Sequence, residues 1–119
     1  MFKKLNIEYL RWTIRALKYR FKVEKHEIHF MLQNLKEGKS TIDIGAHKGA
    51  YTYWMSKYVG EMGQVFAFEP QPLLYKKLKN LINLTIMKTI QFIQKRILSL
   101  FIRKLKNKRK FLPISKIIQ

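Results

Sequence analysis

Apolar residues recur along this chain with two different periods, and the changes of period mark out its elements. Between residues 5 and 22, Leu10, Ile14, Leu17 and Phe21 fall at spacings of four, three and four. That rhythm predicts an amphipathic helix, whose apolar stripe normally packs inward. Arg11, Arg15, Lys18 and Lys22 lie beside the stripe. A second helix is predicted through "EKHEIHFMLQNLKEG", with Ile28, Met31, Leu32 and Leu35 on one side and Gly38 available to end it. The period then shortens. "STIDIGA" is brief, β-branched and bounded by glycine, which predicts a buried strand over residues 41–45.

Helical spacing returns after Gly49, where Tyr51, Trp54, Met55 and Tyr58 share one side up to Gly60. "QVFAFEP" reads as a second strand covered on both faces, stopped by Pro70. Pro72 suits the first turn of a further helix, "LLYKKLKNLINL", with Leu74, Leu78 and Leu81 or Ile82 facing inward. Helices followed by strand, helix, strand, helix predict the start of an α/β fold with a parallel sheet. From residue 84 onward there is no Gly, Asp or Glu, so the punctuation of a continuing alternation is missing. Part of this segment fits a basic amphipathic helix with Ile86, Ile90, Ile93, Ile97 and Phe101 on one side, and "KNKRK" reads as a solvated charge run.

Charge sharpens that division. The net charge of +18 favours polyanions as partners, but its distribution is uneven. Residues 1–83 hold 15 Lys/Arg and 7 Asp/Glu, whereas residues 84–119 hold 10 Lys/Arg and none of the acids. Three segments follow: N-terminal helices over 1–39, the start of an α/β domain over 40–83, and a basic tail, helical or disordered, over 84–119. With 119 residues and 47% hydrophobic content, one core is expected. The absence of cysteine excludes a disulfide framework, a thiolate nucleophile and a cysteine-ligated metal, and fits a cytoplasmic setting. No apolar run approaches the roughly 18 residues that would span a bilayer.

The chemistry concentrates in "TIDIGAHKGAY". Asp43-Ile44-Gly45-Ala46-His47-Lys48-Gly49 joins the first strand to its helix, and Glu69 follows 20 residues after Gly49 at the tip of the second strand. Glycines let a main chain approach a ligand closely, and a carboxylate on the neighbouring strand tip can accept hydrogen bonds from two ribose hydroxyls. A dinucleotide fingerprint normally has no acid in the place of Asp43, because a carboxylate there repels pyrophosphate. The same carboxylate suits the ammonium of a methionine moiety, so S-adenosylmethionine fits better than NAD.

The stretch "TIDIGAHKGAYTYWMSKYVGEMGQVFAFEPQP" resembles the first two motifs of class I S-adenosylmethionine-dependent methyltransferases, and most closely the FkbM-type family. The resemblance covers roughly residues 24–82. It implies a partial Rossmann-like fold, S-adenosylmethionine as cofactor, and O-methylation of a sugar, glycan or natural-product hydroxyl. It also implies that Asp43, Gly45 and Gly49 line the methionine side of the pocket, that Ala46 and His47 between them belong to the same cofactor-binding bend, and that Glu69 holds the ribose. His47 departs from the family, which usually has asparagine there. The family's later motifs, which contact adenine and position the acceptor, find no match after residue 83, and no general base is assigned. These losses lead to the expectation of a truncated or frameshifted methyltransferase that is inactive alone and folds marginally, because two parallel strands leave an edge unpaired.

Plainer readings stand beside these. His26 and His29, three apart, suit a surface helix better than a metal site, because no third ligand accompanies them, and no metal is expected. Tyr51, Tyr53, Trp54 and Tyr58 suit core packing better than base stacking. The expected partner is a small-molecule or glycan acceptor, with peripheral anionic membrane contact through 84–119 and nucleic acid disfavoured. The alternative function is a small basic protein that binds nucleic acid or an anionic membrane.

Overall fold

A computed structural model describes residues 2–83 and 89–93. The chain runs α1 (Phe2–Lys18), a π-helical turn (Tyr19–Val23), α2 (Lys25–Asn34), β1 (Ser40–Ile44), α3 (Ala50–Val59), β2 (Gln64–Phe68), α4 (Pro72–Asn83) and β3 (Ile90–Ile93). The three strands form one parallel sheet in the order β1-β2-β3. Register pairs Asp43 with Ala67, and Val65 with Ile90.

The third strand corrects the sequence reading. Ile90 and Ile93 were assigned to one side of a basic helix, whereas the structure places them in a strand bonded to β2. Helical spacing of isoleucines is ambiguous over so short a stretch. The exposed backbone groups along the open side of β2 decide the matter, since Ile90–Ile93 can satisfy them and bury Ile90 at 6% exposure. Ile86, Ile97 and Phe101, the rest of that stripe, lie outside the described residues, as does "KNKRK".

A second correction concerns α1. The stripe Leu10, Ile14, Leu17 and Phe21 is 41–59% exposed. The face that packs inward carries Trp12 and Ala16, both 0% exposed. Trp12 meets the edge of Tyr53 with ring centroids 5.2 Å apart at 83°, and its indole N–H donates to the Gly49 carbonyl at 2.7 Å. Trp54 of α3 answers in the other direction, donating to the Ala16 carbonyl at 2.8 Å. A large aromatic whose N–H finds a partner, set one turn from a small residue that permits close approach, outcompetes an aliphatic stripe for the same core.

The other predicted faces are buried in large part, although Tyr58 at the end of the α3 face is 37% exposed and Tyr51 is only partly covered. Ile28, Met31 and Leu32 of α2, Trp54 and Met55 of α3, and Leu78 and Ile82 of α4 join Val59, Val65 and Ala67 in one apolar cluster. α2 stops earlier than Gly38, at Asn34, because Leu35 turns to extended backbone. Gly38 instead takes φ 77° and donates its N–H to the Val59 carbonyl at 2.8 Å, a link that ties the approach to β1 onto the end of α3.

Candidate functional site

β1 delivers Asp43 to the sheet's carboxyl end, and the chain then bends through Gly45 to Gly49 before α3 begins. Gly45 and Ala46 both donate their N–H groups to the Phe68 carbonyl, at 2.8 and 2.9 Å, which ties the bend to the tip of β2. Gly45 takes φ 80°, a left-handed conformation that side chains disfavour. His47 adopts φ 51° in spite of its Cβ, and its N–H donates to Glu69 Oε2 at 2.6 Å. The other oxygen of Glu69 accepts the Gln71 N–H at 2.9 Å. Glu69 therefore stands against the bend as the spacing predicted, and its visible work there is to pin a left-handed residue in place.

Gly49 works differently from Gly45. It is buried at φ 82°, and a Cβ there would lie 2.8 Å from Leu78 Cδ2 and 2.9 Å from Trp12 Nε1. Its bareness serves the packing of α1 and α4 over the start of α3.

A cleft of about 260 Å³ opens beside the bend. Asp43, Gly45, Ala46, His47 and Lys48 form one wall, with Tyr51 and Met55 of α3, while Arg15, Tyr19 and Glu24 of the N-terminal segment form the other. Gly49 and Glu69 do not line it. The volume is below the ~300–1,000 Å³ usual for a whole small-molecule site, so it accommodates one end of a larger ligand.

Asp43 is 6% exposed. Its Oδ2 accepts the Thr52 hydroxyl at 2.5 Å. Burial pushes its carboxyl from 3.8 up to about 6, against the opposing pull of the hydroxyl and N–H of Thr52 and with a further push from the Glu69 charge. A carboxylate raised in this way at a cleft wall gains from a cation placed beside it. Across the cleft the Tyr51 hydroxyl donates to Glu24. Burial, followed by that bond, pushes the Tyr51 phenol up. The cleft thus brings two acids, Asp43 and Glu24, together with two cations, Arg15 and Lys48.

Arg15, Tyr19, Glu24 and the polar role of Tyr51 were not legible as site residues. Arg15 reads in sequence as the solvated flank of a helix and Tyr51 as core. No local spacing links residues 15 and 24 to residue 43, since their meeting depends on Trp12 docking α1 onto α3.

The profile of the FkbM methyltransferase domain matches residues 43–114, more than half of the chain. The chain belongs to the FkbM methyltransferase family. The matched region begins at Asp43 and runs to residue 114, so the family likeness reaches further along the chain than the motifs up to residue 82. Among solved structures, a SAM-dependent methyltransferase from Aquifex aeolicus superposes with a TM-score of 0.56 at 23% identity, covering 71% of this chain and 45% of that one. A Clostridium thermocellum protein described as an rRNA methylase gives 0.52 at 26% identity, covering 58% and 38%. A protein-L-isoaspartate O-methyltransferase gives 0.53 at 22% identity, covering 56% and 22%. The FkbM chain spans less than half of each of these structures. No curated protein gives a significant match. The shared fold is the Rossmann-like sheet of class I methyltransferases, here as three parallel strands, and membership of the FkbM family implies S-adenosylmethionine as the methyl donor.

Proposed function

We propose that this FkbM domain binds S-adenosylmethionine through the bend and cleft at the tips of β1 and β2 and serves O-methylation of a sugar, glycan or natural-product hydroxyl. The observation that carries the reading is the charge pattern of the cleft. The methionine end of the cofactor is a zwitterion that also bears a sulfonium, and the cleft sets Asp43 and Glu24 near Arg15 and Lys48. The acids suit the ammonium and the sulfonium, and the cations suit the carboxylate. Asp43 is assigned to the ammonium, with Gly45, Ala46 and His47 as the adjoining wall. Glu69 is assigned to the ribose, with Gly49 supporting the bend from behind.

When bound, the cofactor supplies a sulfonium that makes its methyl group electrophilic. The chain's own residues hold and orient it. Glu69 already accepts two main-chain N–H groups, yet each carboxylate oxygen has a second lone pair for a ribose hydroxyl. The N-terminal wall, from Arg15 to Glu24, shields the methionine side from water. A cytoplasmic location accords with the absence of cysteine and with the supply of the donor there.

Calorimetric titration with S-adenosylhomocysteine tests the reading. Binding that weakens at least about tenfold in Asp43→Asn, as loss of a charge-assisted contact predicts, is the expected result. Unchanged affinity in Asp43→Asn, or no binding by the wild-type chain, overturns it.

A further inference from the structure

The stripe that α1 leaves outside is too regular to be incidental. Ile7, Leu10, Ile14 and Leu17 are 48%, 56%, 56% and 41% exposed. At about 100° per residue they occupy roughly 80° of the helix circumference, nearly opposite Trp12 and Ala16. Phe21, 59% exposed, prolongs the row into the π-helical turn. Scattered surface hydrophobes need no explanation, but a continuous row of this kind marks a contact surface.

Its flank names the partner. Arg11, Lys18 and Lys22 are exposed along the edge of the row, with Arg15 partly so. The acid on this helix, Glu8, is already paired with Arg11 at 2.9 Å. An apolar row edged by cations calls for a surface that is apolar inside and anionic outside. Nucleic acid offers the charge but gives no reward for burying Leu and Ile. The chain's own residues 84–119 hold 10 Lys/Arg and no acid, so they offer the cationic edge no opposite charge, and a second copy presents the same cationic edge. Among the described residues no helix is long and apolar enough to cross a membrane, so the contact is peripheral.

We infer that the outer face of α1 seats this domain on an anionic lipid bilayer, with Leu10, Ile14, Leu17 and Phe21 entering the headgroup boundary and Lys18 and Lys22 at the phosphates. Because Arg15 and Tyr19 of the same segment line the cleft, the seat places the cleft close to the lipid surface. The inference goes beyond methyl transfer and does not depend on it.

Co-sedimentation of the full chain with phosphatidylcholine vesicles, with and without roughly 30 mol % phosphatidylglycerol, tests it. The wild-type chain is expected to bind the anionic vesicles, and the triple variant L10Q/I14Q/L17Q to bind them at least about tenfold more weakly with an unchanged melting temperature. A second comparison holds if that variant does not fold. K18E/K22E is expected to lose anionic-vesicle binding that K76E/K77E, with the same change in net charge on exposed positions of α4, retains. Equal vesicle binding by wild type and triple variant overturns the inference, as does equal loss in the two charge-reversal pairs. A wild-type dimer that the triple variant dissociates, without vesicle binding, also overturns it by assigning the face to a second copy.

Discussion

Replacing Asp43 with asparagine separates what this residue costs the fold from what it offers a ligand. In the ligand-free domain its carboxyl is raised from 3.8 to about 6, chiefly by burial. The native state therefore holds the proton more tightly than the unfolded chain between those two values. Since stability rises with pH only where the unfolded state binds more protons, this group makes stability fall as pH climbs from about 4 to about 6 and level off above. At about 1.36 kcal/mol per unit, the gap amounts to roughly 3 kcal/mol. Asparagine keeps an oxygen for the Thr52 hydroxyl and carries no charge. Asp43→Asn is thus expected to match the wild-type chain near pH 4 and exceed it by up to about 3 kcal/mol at pH 7, while binding S-adenosylhomocysteine more weakly. Urea denaturation followed by circular dichroism from pH 4 to 8 gives the difference directly, and taking the difference cancels whatever the two chains have in common. A variant less stable than wild type at pH 7, or a difference that does not change with pH, refutes the reasoning. In wild type, saturating ligand is expected to weaken the pH dependence, because a cation beside Asp43 favours its ionised form.

The two glycines of the bend are expected to differ. Gly45→Ala meets open space at positive φ and should cost about 1–2 kcal/mol, whereas Gly49→Ala adds clashes with Leu78 and Trp12 and should lose about 3 kcal/mol or more by thermal melting. Trp12→Ala should destabilise by about 3–5 kcal/mol, since it empties a fully buried site and removes one of the two N–H groups that the Gly49 carbonyl accepts, leaving that of Tyr53; a change under about 1 kcal/mol would show that α1 is not docked as described. Glu69→Gln sets an amide donor against one of two N–H groups, so hydrogen exchange at His47 or Gln71 should accelerate, with a loss of about 1–3 kcal/mol.

The parts legible in the sequence are those where a single local rule decides. The glycine bend, the β-branched strand before it, Pro70 and Pro72 around the second strand tip, and the faces of α2 and α4 all follow from turn chemistry or periodicity. Glu69 also falls beside the bend, as its position at the next strand tip required. Legibility fails where two local solutions compete. α1 carries two apolar sides, and spacing alone ranks the aliphatic row above Trp12 and Ala16, although the indole can bury more surface and satisfy its N–H. Ile90–Ile93 satisfies both periods, and a free strand edge from elsewhere in the chain selects one. The second wall of the cleft was beyond reach for a related reason, because Arg15 and Glu24 acquire their place only through the docking of α1. The bend was read as bare main chain open to a ligand, yet the N–H groups of Gly45, Ala46 and His47 are engaged by Phe68 and Glu69.

The paired indole bonds between α1 and α3 have a bearing on how such a domain can be rebuilt. Each helix supplies a tryptophan and receives one through a main-chain oxygen, so the two helices are held in one register, and a leading helix without the indole leaves a fully buried site empty. A chimera that borrows its leading segment from another protein must bring an indole at the place of Trp12 and a side chain as small as alanine at the place of Ala16.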